Sequence, residues 1–344
     1  MKYKNLPSAR LFPLLFVCLS AEAVVKPFTL PDHAPAQAAV WSELLCAAAV
    51  CTALIFFFHR VSDSSLRLLR TGRLKQAKAV LAWIAVSASF AGGACLVTAE
   101  RFYRYVSDEP TLSLITAALI LLAATYAVSR GVLTMTRAAG AVCVLFLMGA
   151  VLLAASSLSS ARLENLMFSD DILRKTLRRT AFGNWLPAEL LCFILIKIPL
   201  KQGGSKCACR AVAASAAFFA VSAVLAELVL GEQAGALMQP MHTLARLGGL
   251  SVFKRFDALH VGIWLLVLLL RQAFLLYGTR TAVRGLLPDR WASFCIPGAI
   301  ALTLAGAFAC SALPQGSAGV LSSFATLSAF GAVLLFSSCT EVGS

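Results

Sequence analysis

What most constrains this chain is a series of apolar stretches, each close to the thickness of a bilayer. A hydrocarbon core about 30 Å thick takes about 20 residues of α-helix. Stretches of that kind lie near 9–29, 36–58, 77–100, 111–129, 132–155, 181–200, 208–230, 257–277, 292–311 and 317–338. They are rich in Ala and Leu and lack the alternation of a half-buried strand, so each reads as helix. The loops are short, and no linker leads to a soluble domain. The expected fold is an all-α integral membrane protein, with residues 1–344 forming a single polytopic domain of about ten transmembrane helices.

Composition agrees. The chain is 59% hydrophobic and 13% charged, against about 25% charged for a soluble domain. The net charge of +14 lies in short loops beside the apolar spans. It is read as charge that sets topology and meets anionic headgroups of membrane lipid. Nucleic acid is not an expected partner, because no basic patch carries interleaved aromatics. Of the eleven cysteines, Cys18, Cys46, Cys51, Cys95, Cys143, Cys192, Cys295 and Cys310 fall inside apolar spans, where Cys behaves as a small hydrophobe. Cys207 and Cys209 form a C-x-C without matching ligands, so neither a metal site nor a disulfide framework is expected.

The N-terminus, with Lys2, Lys4 and Arg10 before an apolar core and a small-residue Ala21-Glu22-Ala23, imitates a signal peptide with cleavage after Ala23. Because many spans follow, a retained first helix is expected. Placing both termini in the cytoplasm puts most Lys and Arg on the inner side, including Arg60, Arg67, Arg70, Arg73, Lys75, Lys78, Arg130, Arg137, Lys197, Lys201, Arg280 and Arg284, as the positive-inside rule requires. Two outer segments stand apart, 156–180 and 231–256. Both mix charges with Leu, Met and Phe and are expected to form short surface helices.

Ionisable groups at membrane depth are costly and default to functional hypotheses. Glu22 and Lys26 are four residues apart, on one helical face, and can neutralise each other. Around them Leu19-Ser20-Ala21-Glu22-Ala23 offers a place where the first span could unwind. The sixth span opens Phe182-Gly183-Asn184-Trp185-Leu186-Pro187-Ala188-Glu189, whose Gly, Asn and Pro interrupt a helix and free backbone groups. Such backbone belongs where it lines a cavity, and paired interruptions in corresponding spans point to a transporter-type pocket. The candidate ligand-binding residues are therefore Ser20, Ala21, Glu22, Phe182, Gly183, Asn184 and Glu189. Arg271, late in the eighth span, is expected to snorkel to the cytoplasmic face. His242 and His260 stand isolated in the sequence. No catalytic triad, phosphate-binding loop or carboxylate pair is present, so neither an enzyme nor a cofactor is expected.

One stretch is individual. Pro240 is followed by Ser251-Val252-Phe253-Lys254-Arg255-Phe256-Asp257-Ala258 and then Ile263-Trp264. It resembles the B subunit of GerA-type spore germinant receptors, in the amino acid–polyamine–organocation transporter superfamily. Tyr126-Ala127-Val128-Ser129-Arg130-Gly131 with Arg137, Phe182-Gly183 with Glu189, and Trp41 opening the second helix are similar to further motifs of that family. The resemblance implies a 5+5 inverted-repeat, LeuT-like fold with interrupted helices one and six. Repeat one would span about 9–155 and repeat two about 181–338. It also implies a small-molecule germinant, such as an amino acid, sensed in a midplane pocket, A- and C-type partner subunits, and the spore inner membrane as location. Two departures stand out. The first span lacks a glycine at the break, and Asn184-Trp185-Leu186-Pro187 precedes the sixth-span Glu. An amino acid/proton symporter of the same fold is the alternative reading, and a structural subunit with a vestigial pocket a third.

Overall fold

The computed structural model describes residues 8–25, 36–166, 171, 173–177, 186–196, 203–237, 239–248, 257–313 and 317–342. Within them the long elements are α1 (Ser8–Val25), α2 (Ala36–Arg60), α4 (Lys75–Ser107), α5 (Pro110–Arg130), α6 (Val132–Ser157), α8 (Gly204–Leu230), α11 (Asp257–Leu286), α12 (Cys295–Ser311) and α13 (Ser317–Val342). Shorter elements are α3 (Asp63–Thr71), α7 (Glu189–Leu195), α9 (Gln233–Ala236) and α10 (Pro240–Leu247). Among the described residues, eight helices are long and apolar enough to cross a membrane, and they match eight of the ten expected spans. Large apolar side chains such as Val151 (67% exposed), Phe308 (79%) and Leu335 (70%) point outward from them, as lipid-facing residues do.

The two remaining spans are those of α1 and α7. The helix α1 runs over 18 residues, of which Arg10–Ala21 is described with its side chains. The expected unwinding at 19–23 does not occur, since α1 is continuous through Leu19, Ser20, Ala21 and Glu22. No glycine stands there, and all four residues tolerate helix. Pro13, the one breaker inside α1, removes a single backbone bond. The side chain of Glu22 and the whole of Lys26 lie outside the described residues, as do Phe182, Gly183 and Asn184.

The sixth expected span is described only in part, at 186–196. After α6 the chain makes short 3-10 turns at Leu158–Ser160 and Leu163–Asn165, and a helical turn follows over 173–177. Arg162 N–H and Asn165 Nδ2 both donate to the Leu228 carbonyl, at 2.9 and 2.8 Å, so this loop docks on the C-terminal end of α8. The N-terminus of α8 lies a full helix length away from that contact. Between the loop and Gly204 the chain forms α7, whose seven residues span about 10 Å at 1.5 Å per residue. Its last residue is followed by Ile196 in extended conformation, ψ 135°.

Several helix pairs recur in matched places. The pair α4 with α12 has its counterpart in α11 with α5, α4 with α5 in α11 with α12, and α6 with α11 in α13 with α4. The pairs α2 with α8 and α4 with α11 map onto themselves. Most of the buried apolar residues form one cluster along the bundle. A smaller one lies under α9 and α10 and includes Phe219, Met241, Leu244 and Ala245, so the 231–256 segment does carry short helices. Residues 238 and 249–256, including Phe253 and Arg255, lie outside the described residues.

Candidate functional site

Arg271 stands 14 residues into α11, about 21 Å along the helix, and α11 continues to Leu286. That puts Arg271 at mid-helix rather than near the cytoplasmic face. The expectation that it snorkels fails because the helix outruns its apolar segment and because a partner waits at depth. Arg271 is 7% exposed, and its Nε donates to Oε1 of the fully buried Glu189 at 2.5 Å. Two opposite charges out of water are tolerable only with close geometry of this kind.

Glu189 reaches Arg271 because α7 lies tightly on α11. A Cβ built at Gly278 would meet Cys192 Sγ at 2.1 Å, so only glycine permits the approach. Glu189 and Cys192 are three apart on α7, and Arg271 and Gly278 seven apart on α11, so each pair shares a helical face. The N-terminal side of α7 is held by the Leu186 N–H, which donates to Ser323 Oγ at 3.4 Å. The third wall is α1, which packs on both α7 and α11. Its Cys18 lies within electrostatic reach of Glu189 and Arg271. Ser20 and Ala21 are fully buried.

Three side chains in this region carry buried polar atoms without a partner among the described residues. They are Ser20 Oγ, Glu189 Oε2, and both Oε1 and Nε2 of Gln272. A buried polar atom left unbonded costs about 1–3 kcal/mol, so such atoms mark places built for something besides packing. Glu189 belongs to the α1–α7–α11 junction, and Ser20 is buried on α1, two residues beyond Cys18. Gln272 points across to α4 and α12, where it lies near Gly92 and Thr303. The junction can supply a carboxylate oxygen and a guanidinium. Of the sequence-derived candidates, Glu189 lies at this junction, while Ser20 and Ala21 are buried on α1, the helix that forms its third wall. Arg271, Gln272 and Cys18 were not among them. Gln272 was detectable as an amide inside an apolar span.

The family-motif residues sit elsewhere. Trp41 lies on α2 and is 54% exposed. Gly131, φ +90°, separates α5 from α6, Arg130 stacks over Tyr126 at 5.0 Å, and Arg137 is exposed. Pro240 opens α10, and Asp257 opens α11 with its Oδ1 accepting from the Ala258 N–H. Trp264 is buried two turns outward of Arg271 and packs on Phe102, with ring centroids 3.7 Å apart. The two histidines, isolated in sequence, meet here with ring centroids 6.0 Å apart. His242 also packs against Phe102 and Tyr105. Burial and the nearby Arg246 push the His242 imidazole below its ordinary value, while Asp257 pulls the other way.

Residues 102–310, more than half of the chain, match the family model described as spore germination protein, the spore permease family. The match takes in α7, α11 and the Glu189–Arg271 pair and leaves out α1 to α3. No curated protein sequence matches the chain.

Proposed function

Because the chain belongs to the spore germination protein family, we propose that it is the B subunit of a nutrient-germinant receptor that binds a small zwitterion, such as an amino acid, at the α1–α7–α11 junction. The observation that carries this reading is the Glu189–Arg271 pair, buried at the middle of α11 with one carboxylate oxygen unpartnered. A ligand ammonium would take Glu189 and a ligand carboxylate would take Arg271, exchanging one internal ion pair for two intermolecular ones. Occupancy then shifts the receptor only if the ligand prefers one arrangement of α7 over another. The matched helix contacts support two repeats, about 9–155 and 181–338, with α1 and α7 in corresponding places. Partner subunits of A and C type, and the spore inner membrane as location, belong to the same proposal.

The test is germination of spores carrying the chain with Glu189→Gln, titrated with a mixed L-amino acid preparation. A response shifted to higher concentration or lost, with the variant still present in the membrane, is expected. An unchanged dose-response removes Glu189 from the site. A second reading, an amino acid/proton symporter, is favoured by the short α7 with non-helical backbone at its end, an arrangement that moving gates use. Uptake of radiolabelled amino acids into proteoliposomes under an imposed proton gradient separates the two. Accumulation above the gradient-free control supports transport.

A further inference from the structure

The loop helix α3 (Asp63–Thr71) is built as a rigid fitting. Ser62 caps it, its hydroxyl accepting from the Ser65 N–H, and Leu66 and Leu69 bury one face. Ser65 Oγ shares a hydrogen bond of 2.8 Å with Thr340 on α13. Gly72, φ +59°, closes the helix where a Cβ would meet the Gly285 carbonyl oxygen of α11 at 1.8 Å. Both the conformation and the space demand glycine there.

From this fitting Arg70 reaches α7. Its Nη2 donates to the Ile194 carbonyl at 2.7 Å and to the Ile196 carbonyl at 2.6 Å. These oxygens are among those a helix end leaves without intrahelical partners, and inside a membrane protein they must be satisfied by protein. Burial lowers the Arg70 guanidinium to about 10, so it is still a cation at neutral pH. The short helix is therefore gripped at both ends by arginines, Arg271 through the Glu189 side chain and Arg70 through backbone.

We propose that Arg70 is the positioning residue of the sensor site: it fixes the end of α7 opposite Glu189, so that Glu189 faces Arg271, and its release from Ile194 and Ile196 is the step that frees α7 when ligand takes Glu189. The second half rests on the site reading given above. Neither residue type nor spacing at 194–196 singles out a contact to α3; the three-dimensional structure alone assigns it.

Hydrogen exchange of the full chain in lipid nanodiscs tests the first half without any ligand. Arg70→Met removes two charge-assisted bonds, so exchange of the α7 amides should rise by at least about tenfold, with α5 and α12 unmoved. Arg70→Lys, which keeps a donor and the charge, should recover most of the protection. Unchanged α7 exchange in Arg70→Met, or a rise spread evenly over all helices, overturns the proposal. In spores given the same amino acid preparation, Arg70→Met should change the half-maximal concentration by about tenfold or germinate without nutrient. If Arg70→Met loosens α7 while Glu189→Gln responds normally, the pocket assignment fails and positioning by Arg70 stands. If Glu189→Gln abolishes the response and Arg70→Met alters neither exchange nor response, the positioning proposal fails and the pocket stands.

Discussion

The Glu189–Arg271 pair has to be judged by what its loss leaves behind. Each charge alone at mid-bilayer is far costlier than the pair, and removing one partner of a buried pair costs about 3–5 kcal/mol. Glu189→Gln should therefore lower thermal stability in detergent as well as ligand response. The double variant Glu189→Gln with Arg271→Met should lose less stability than the sum of the single variants, because no isolated charge remains. A sum that simply adds would mean that the two side chains do not couple. His242 carries a second residue-scale prediction. Its imidazole is held below the ordinary 6.5 by burial and Arg246, so between that depressed value and 6.5 the unfolded chain binds more protons than the folded one. Stability of the α10 seat should then be constant above pH 6.5 and fall as pH drops below it, by at most about 1.4 kcal/mol per pH unit. The charged and titratable groups to watch are Arg246, Asp257 and His260. Hydrogen exchange of α10 at pH 7.5 and pH 5 reads this, and His242→Gln should flatten the difference. Glu189 was legible in sequence because a carboxylate in an apolar run is conspicuous. Its partner was misread because the apolar stretch ends near 277 while the helix continues to Leu286, and only the full length centres Arg271.

At the scale of elements, hydropathy located eight crossings because each is a long apolar helix that nothing interrupts. The remaining two show what hydropathy misses. A run such as 181–200 has the composition of a span, but Pro187 and the extended Ile196 confine its described helix to seven residues. Conversely, Leu19-Ser20-Ala21-Glu22 looked breakable for its small and polar residues, yet without glycine or proline the helix has no reason to open. Close helix approach was equally hidden. A Cβ at Gly93 on α4 would lie 2.2 Å from the Ala307 N of α12, with backbone rather than a flexible side chain in the way. Gly93→Ala should thus splay α4 from α12 and destabilise the fold by about 1–3 kcal/mol, the usual range for overpacking. Gly331→Ala, where a Cβ meets nothing within 4 Å, is the matched control. Thermal melting of the two variants in detergent decides it: similar melting points would show that the α4–α12 crossing can relax around a methyl group.

For the whole molecule, the ends of α2, α11 and α13 lie together, since α3 follows α2 and touches Thr340 of α13 and the Gly285 region of α11. The loop after α6 and the end of α8 lie together as well, joined through Leu228. The sixth span expected from the sequence, which contains the short α7, is the crossing that would reconcile these two groupings. With α1 as a further crossing, the total would be even and both termini would share a side, as the sequence leads one to expect. The basic residues choose which side: Arg60, Arg67, Arg70, Arg73, Lys75 and Lys78 crowd the α3 end, and short loops rich in Lys and Arg stay cytoplasmic. The expectation is checked with single cysteines placed in a cysteine-free chain and an impermeant maleimide added to intact cells. Asn5→Cys and Gly343→Cys should label only after permeabilisation, whereas Glu232→Cys, exposed beside α9, should label at once. Labelling of Asn5→Cys in intact cells, with Gly343→Cys protected, would mean an odd number of crossings. In that case α1 would not span the bilayer, and Ser20 could not share a midplane with Glu189.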